Sequence, residues 1–90
     1  MNHKKHIAIV TGAAGGIGKV IAQMFADNGY VVVAVDITET EFGNSDIHFQ
    51  KADLCSYEDI CKVFEYAVQH FGGVHVLVNN GAISQFSKSI

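Results

Sequence analysis

A change of period at residue 16 narrows the fold more than any other feature of the chain. Residues 7–10, Ile-Ala-Ile-Val, are a short unbroken apolar run, the pattern of a strand buried on both faces. The run closes at Thr11 and passes into the loop Thr11-Gly12-Ala13-Ala14-Gly15-Gly16-Ile17-Gly18. From there Ile17, Val20, Ile21, Met24 and Phe25 recur at the i, i+3, i+4, i+7, i+8 spacing of an amphipathic helix, which Asn28-Gly29 stops. Residues 30–35, closed by Asp36, form a second β-branched run that reads as another doubly buried strand. Strand, helix and strand within about 30 residues make a βαβ unit, whose crossover is right-handed.

The rest of the chain continues the alternation. Residues 37–46 have too little apolar periodicity for a helix and read as a loop. Ile47, Phe49 and Lys51 then alternate with His48, Gln50 and Ala52, the period of two expected of an edge strand. Ser56, with Asp59 three residues on, supplies a helix N-cap and a first-turn acid. Ile60, Val63, Phe64, Ala67, Val68 and Phe71 give the helix one apolar face, and Gly72-Gly73 ends it. Residues 74–78, apolar except for His75, read as a fourth strand running into Asn79-Asn80-Gly81-Ala82. The order β-α-β-loop-β-α-β predicts an α/β fold with a parallel sheet.

Composition removes several classes of function. Ninety residues allow one small domain, and 49% hydrophobic residues with mean hydropathy +0.22 suit a packed core. Six lysines and no arginine stand against nine acids, for a net charge of −3. That balance lacks the basic stripe of a nucleic-acid or anionic-membrane binder, so neither partner is expected. The longest apolar runs fall far short of the roughly 20 residues that span a bilayer, and no signal peptide is legible, so a cytoplasmic location is expected. Cys55 and Cys61, six residues apart and in no CxxC pair, read as reduced thiols. The five histidines, His3, His6, His48, His70 and His75, do not form a metal-ligand cluster.

Where a glycine-rich turn leads from a buried strand into a helix, backbone N–H groups and the helix dipole face outward and attract phosphate. Here Gly12 would make the turn off the strand, Gly16 would let the backbone approach a pyrophosphate, and Gly18 would let the helix pack closely. Asp36 follows Gly18 by 18 residues and ends the next strand. A carboxylate there can accept hydrogen bonds from both adenosine ribose hydroxyls, and its charge would repel the extra phosphate of NADP. Position 15, where a base could meet that phosphate, is glycine, and Lys19 on the helix, which helix geometry tends to leave solvated, reads as the only nearby cation. The expected cofactor is NAD.

Thr11-Gly12-x-x-x-Gly16-Ile17-Gly18, Asp36 after the second strand, Asp53-Leu54 after the third and Asn79-Asn80-Gly81 after the fourth together resemble the short-chain dehydrogenase/reductase family. The ordered set runs from Ile7 to about Ser84. The resemblance implies a Rossmann-like sheet of strand order 3-2-1-4, incomplete here. Crossovers in opposite directions would then place the first helix on one face and the helix over 57–71 on the other. It also implies that Asp53 and Leu54 cradle the adenine, and that Asn80 and Gly81 run beneath the cofactor ribose, completing a cofactor site of Gly12, Gly15, Gly16, Ile17, Gly18, Asp36, Asp53, Leu54, Asn80 and Gly81. Two departures stand out. The family usually writes Asn-Asn-Ala-Gly where this chain has Asn79-Asn80-Gly81-Ala82. Its catalytic Tyr-x-x-x-Lys pair has no counterpart, because Tyr30, Tyr57 and Tyr66 are followed four residues later by Ala34, Cys61 and His70. No catalytic residue is therefore assigned, and the chain is expected to be the N-terminal, dinucleotide-binding part of a short-chain oxidoreductase. The alternative is a non-catalytic module that binds a dinucleotide or a partner. A methyltransferase-type site is disfavoured by the glycine spacing. Because the family sheet continues past its fourth strand, self-association through the edge over 74–78 is also expected.

Overall fold

A computed structural model describes residues 5–80. Six elements follow in order: β1 (Ile7–Thr11), α1 (Gly16–Asp27), β2 (Val31–Asp36), β3 (Ile47–Lys51), α2 (Tyr57–Phe71) and β4 (Val76–Asn79). The strands form one parallel sheet of order β3-β2-β1-β4, the arrangement the resemblance implies. The two inner strands are the continuous apolar runs. Ile9, Val10, Val32, Val33 and Val35 are the largest fully buried side chains, each contributing about 2 kcal/mol.

The period of two sorts these side chains between the layers. Ile7, Ile9, Val33 and Val35 join Val63 and Ala67 of α2 in one cluster. Val10, Val32, Ala34 and Ile47 join Ala22 and Ala26 of α1 in the other. The helices thus lie on opposite faces. Ser56 caps α2 as expected, its hydroxyl accepting the Asp59 N–H at 3.2 Å, and the helix closes at Gly72.

The structure corrects the reading of the fourth strand. It begins at Val76 rather than 74, and His75 is exposed rather than buried within a strand. The His75 N–H still bonds the Ile7 carbonyl at 2.8 Å. The return bond, however, goes from the Ile7 N–H to the ring Nδ1 of His75 at 2.9 Å, where a strand would offer a backbone carbonyl. A side chain thus replaces the first rung of the ladder. Nor is β4 doubly buried: Val76 and Val78 are half-buried while Leu77 is 52% exposed.

Candidate functional site

Parallel pairing brings Thr11, Asp36, Lys51 and Asn79 to the C-terminal edge of the sheet, where open α/β sheets bind ligands. The loop between β1 and α1 is pinned there. Gly12 has φ 67°, which other residues rarely adopt, and turns the chain off β1. The Ala13 N–H bonds the Val35 carbonyl at 3.0 Å, and the Ala14 N–H bonds Asp36 Oδ2 at 2.9 Å. Gly18 is required by packing, since a Cβ there would lie 1.9 Å from the Gly12 carbonyl oxygen. The close approach is thus to the backbone of the turn itself, a more specific cause than helix-to-sheet packing.

The two helix starts are built differently. At α2 a serine caps the first turn, which carries Glu58 and Asp59. At α1 the N-cap is Gly15, no side chain caps, and the first turn has no acid. Among the described residues no side chain caps the positive end of α1, and the nearest carboxylate, Asp36, is bonded to the Ala14 N–H just before it. A Cβ built on Gly16 meets nothing within 4 Å among the described residues, so no described contact explains that glycine. Open space above an uncapped helix end suits an oxyanion brought close to the backbone. Ile17, beside it, is 71% exposed.

Asp36 uses both carboxylate oxygens to order this edge: Oδ2 takes the Ala14 N–H, and Oδ1 takes the Thr38 N–H at 3.0 Å. Each oxygen keeps a lone pair for a further donor. Asp53 is held in the loop after β3, its Oδ1 accepting the Cys55 N–H at 2.9 Å and its own N–H donating to Asp59 Oδ2 at 2.8 Å. Leu54 packs half-buried on the α2-side cluster. Asp53 and Leu54 share the edge with the loop but have no hydrogen bond to it among the described residues. Asn80 does reach the loop, its Nδ2 donating to the Gly12 carbonyl at 3.4 Å. Gly81 lies outside the described residues.

Two features were not legible in the sequence. The Thr11 hydroxyl contacts Asn79 Oδ1 at 3.1 Å and the Val78 carbonyl at 3.3 Å, tying the start of the loop to β4. Lys51 is the register partner of Asp36, a cation that the reading of Lys19 as the only nearby one had missed. Strand pairing places Lys51 there, and nothing in its local sequence signals it.

A separate groove of about 170 Å³ opens on the α2 face, lined by Ile9, Val35, Leu54, Ile60, Val63, Phe64 and Leu77, with Thr11 and Asn79 at its polar end. Its apolar walls do not suit a pyrophosphate. It is uncovered core rather than the anion cradle. Among the described residues no group of three or more His, Cys, Asp or Glu side chains could hold a metal. No described helix is long and apolar enough to cross a membrane. The cysteines Cys55 and Cys61 are free. The hydrogen bond to Cys61, reinforced by charge repulsion from it, raises the exposed Tyr57 phenol above its ordinary 10.0. That direction is opposite to what a tyrosine acid/base needs.

A parallel sheet with a glycine-lined, uncapped helix start at its C-terminal edge defines a Rossmann-like nucleotide-binding α/β domain. The chain belongs to the short chain dehydrogenase family, whose sequence model matches residues 6–90. It is 39% identical over 87 residues to an uncharacterized oxidoreductase of Thermotoga maritima, covering 86% of this chain and 34% of that protein. It is equally identical over 87 residues to the farnesol dehydrogenase of Aedes aegypti, covering 86% of this chain and 36% of that protein. With the diacetyl reductase of Staphylococcus epidermidis it shares 34% identity over 85 residues, covering 84% of this chain and 33% of that protein. Ligand-free aldohexose dehydrogenase of Thermoplasma acidophilum superposes with TM-score 0.76 at 30% identity, over 86% of this chain and 29% of that one. The chain therefore spans about a third of the length of the curated relatives it matches. Family membership implies a nicotinamide dinucleotide, NAD or NADP, as cofactor.

Proposed function

We propose that the chain is the NAD-binding portion of a short-chain oxidoreductase that, in complete form, transfers hydride between NAD(H) and an alcohol or carbonyl. The observation that carries the reading is the position of Asp36. Its carboxylate ends β2, holds the glycine loop through the Ala14 N–H, and stands beside the uncapped start of α1. A group that binds there through phosphate would present its adjoining ribose to that carboxylate.

The residues present fit the dinucleotide. The backbone at Gly15, Gly16, Ile17 and Gly18 would hold the pyrophosphate, Asp36 the adenosine ribose, Asp53 and Leu54 the adenine, and Asn80 with Gly81 the second ribose. When bound, the cofactor supplies the hydride acceptor or donor. The chain's own part is to bind and orient it. The Thr11–Asn79 contact and the Asn80–Gly12 bond keep β4 and the loop in fixed relation, so that both ends of a ligand lying across the edge meet one rigid surface. The relatives are named for farnesol, diacetyl and aldohexose. These are different substrates in proteins that share this portion, which is what a cofactor-binding segment would give.

The test is a fluorescence titration with NADH and NADPH. NADH is expected to bind about tenfold more tightly, a difference of about 1.4 kcal/mol. Replacing Asp36→Ala should weaken NADH and bring the two dissociation constants together. Equal or tighter NADPH binding by the unaltered protein would overturn the NAD assignment.

A further inference from the structure

Lys51 ends β3 in register with Asp36 at the end of β2. The earlier partners in that register, Val32 with Ile47 and Ala34 with Phe49, pack on the α1 side of the sheet. Two residues further along, Asp36 and Lys51 share that face, since side chains repeat every second residue. It is also the face of the glycine loop, as the bond between the Ala14 N–H and Asp36 shows. Neighbouring strands lie about 4.8 Å apart, so the two side chains start from adjacent backbone positions. Yet they do not pair: among the described residues the one ion pair is Lys5 with Asp46. Both Asp36 oxygens are instead engaged by the N–H groups of Ala14 and Thr38, and Lys51 is exposed.

We propose that Lys51 is a specificity-determining residue at the 2′ position of the adenosine ribose, where its ammonium offsets the charge of Asp36. The discrimination between a 2′-hydroxyl and a 2′-phosphate then belongs to the pair. It favours the hydroxyl because Asp36 is fixed by two hydrogen bonds while the lysine ammonium moves on a flexible stem. It is also weaker than Asp36 alone would impose, because the ammonium attracts the phosphate that the carboxylate repels. The proposal rests on the dinucleotide reading above, and adds that removing the carboxylate alone leaves a phosphate-attracting site already in place. A lysine serving only to blunt the β3 edge against pairing with another chain would have no such effect.

The experiment measures dissociation constants for 5′-AMP and for 2′,5′-ADP by calorimetry, at low and at high salt. The proteins are the unaltered one, Lys51→Gln, Asp36→Asn and the double variant. Asn keeps an amide oxygen for the Ala14 N–H, and taking the ratio of the two ligands within each protein removes any general loss of folded material. Lys51→Gln is expected to raise the ratio of 2′,5′-ADP to 5′-AMP dissociation constants by about threefold to tenfold. Asp36→Asn should lower it by about tenfold, and the double variant should lose most of that change. All these differences should shrink in high salt. A ratio unmoved by Lys51→Gln in both backgrounds, with 5′-AMP still binding, overturns the role of Lys51 and leaves the nucleotide site standing. Failure of both ligands to bind any of the four proteins overturns the dinucleotide reading and this inference with it.

Discussion

Gly16 and Gly18 stand two positions apart at the start of α1 and are glycine for different reasons. At Gly18 a methyl group would collide with the Gly12 carbonyl oxygen and the backbone beyond it, none of which can yield without breaking the turn. Gly18→Ala should therefore cost about 3 kcal/mol, read as a lower midpoint in urea. At Gly16 a methyl group meets none of the described residues. Gly16→Ala should leave stability unchanged or raise it by about 0.5 kcal/mol, because alanine has less freedom to lose on folding. The same change should weaken NADH binding, since the methyl would occupy the space the proposed site gives to phosphate. Undiminished NADH affinity in Gly16→Ala would remove that residue from the site. Gly16, Gly18 and Asp36 were singled out in the sequence by their spacing from the first two apolar runs, although the bond that ties Asp36 to the loop joins residues 22 apart. Lys51 was not, since its place beside Asp36 exists only once β2 and β3 have paired.

At the level of elements, α2 shows how far local chemistry reaches. Its bounds at Tyr57 and Phe71 follow from the Ser56 cap and the glycines after Phe71, all readable in order. The start of β4 was misplaced because His75 lends its ring, rather than a backbone carbonyl, to the Ile7 N–H. This bond fixes Nδ1 as acceptor and leaves the ring proton on Nε2. His6 lies edge-on to the His75 ring with centroids 4.5 Å apart, and Tyr30 lies 5.9 Å from His6. A row of rings thus closes the N-terminal edge of the sheet, opposite the edge left open for a ligand. His75→Ala should cost about 1 to 2 kcal/mol by leaving the N–H of the buried Ile7 unpaired. His75→Asn, which offers an amide oxygen, should recover part of that loss. An alanine variant as stable as the unaltered protein in urea denaturation would show that β1 and β4 do not depend on this bond.

For the molecule as a whole, the decisive feature is apolar surface left uncovered on both faces. On α1, Ile17, Val20 and Met24 form an exposed stripe, and on the other face Leu77 is half exposed beside the groove lined by Phe64 and Ile60. Among the described residues β4 pairs with β1 alone. Covering on the order of 300 Å² of apolar surface is worth about 8 kcal/mol at about 25 cal/mol per Å², comparable to the stability of a small domain. The isolated 90-residue chain is therefore expected to self-associate at micromolar concentration, and Leu77→Lys to weaken that association. Sedimentation would decide: a sharp 9.7 kDa monomer with a cooperative thermal transition would show that the core closes by itself. Apart from the start of β4, the strands, the helices and the glycine turn were determined by the sequence alone, because periodicity, capping and turn chemistry act between residues a few positions apart. Tertiary structure decided what joins residues far apart in the chain: Lys51 beside Asp36, Thr11 against Asn79, and the His75 ring on Ile7. Those contacts arise from strand register, which is set by how whole apolar faces are buried together, and no local stretch of sequence contains that information.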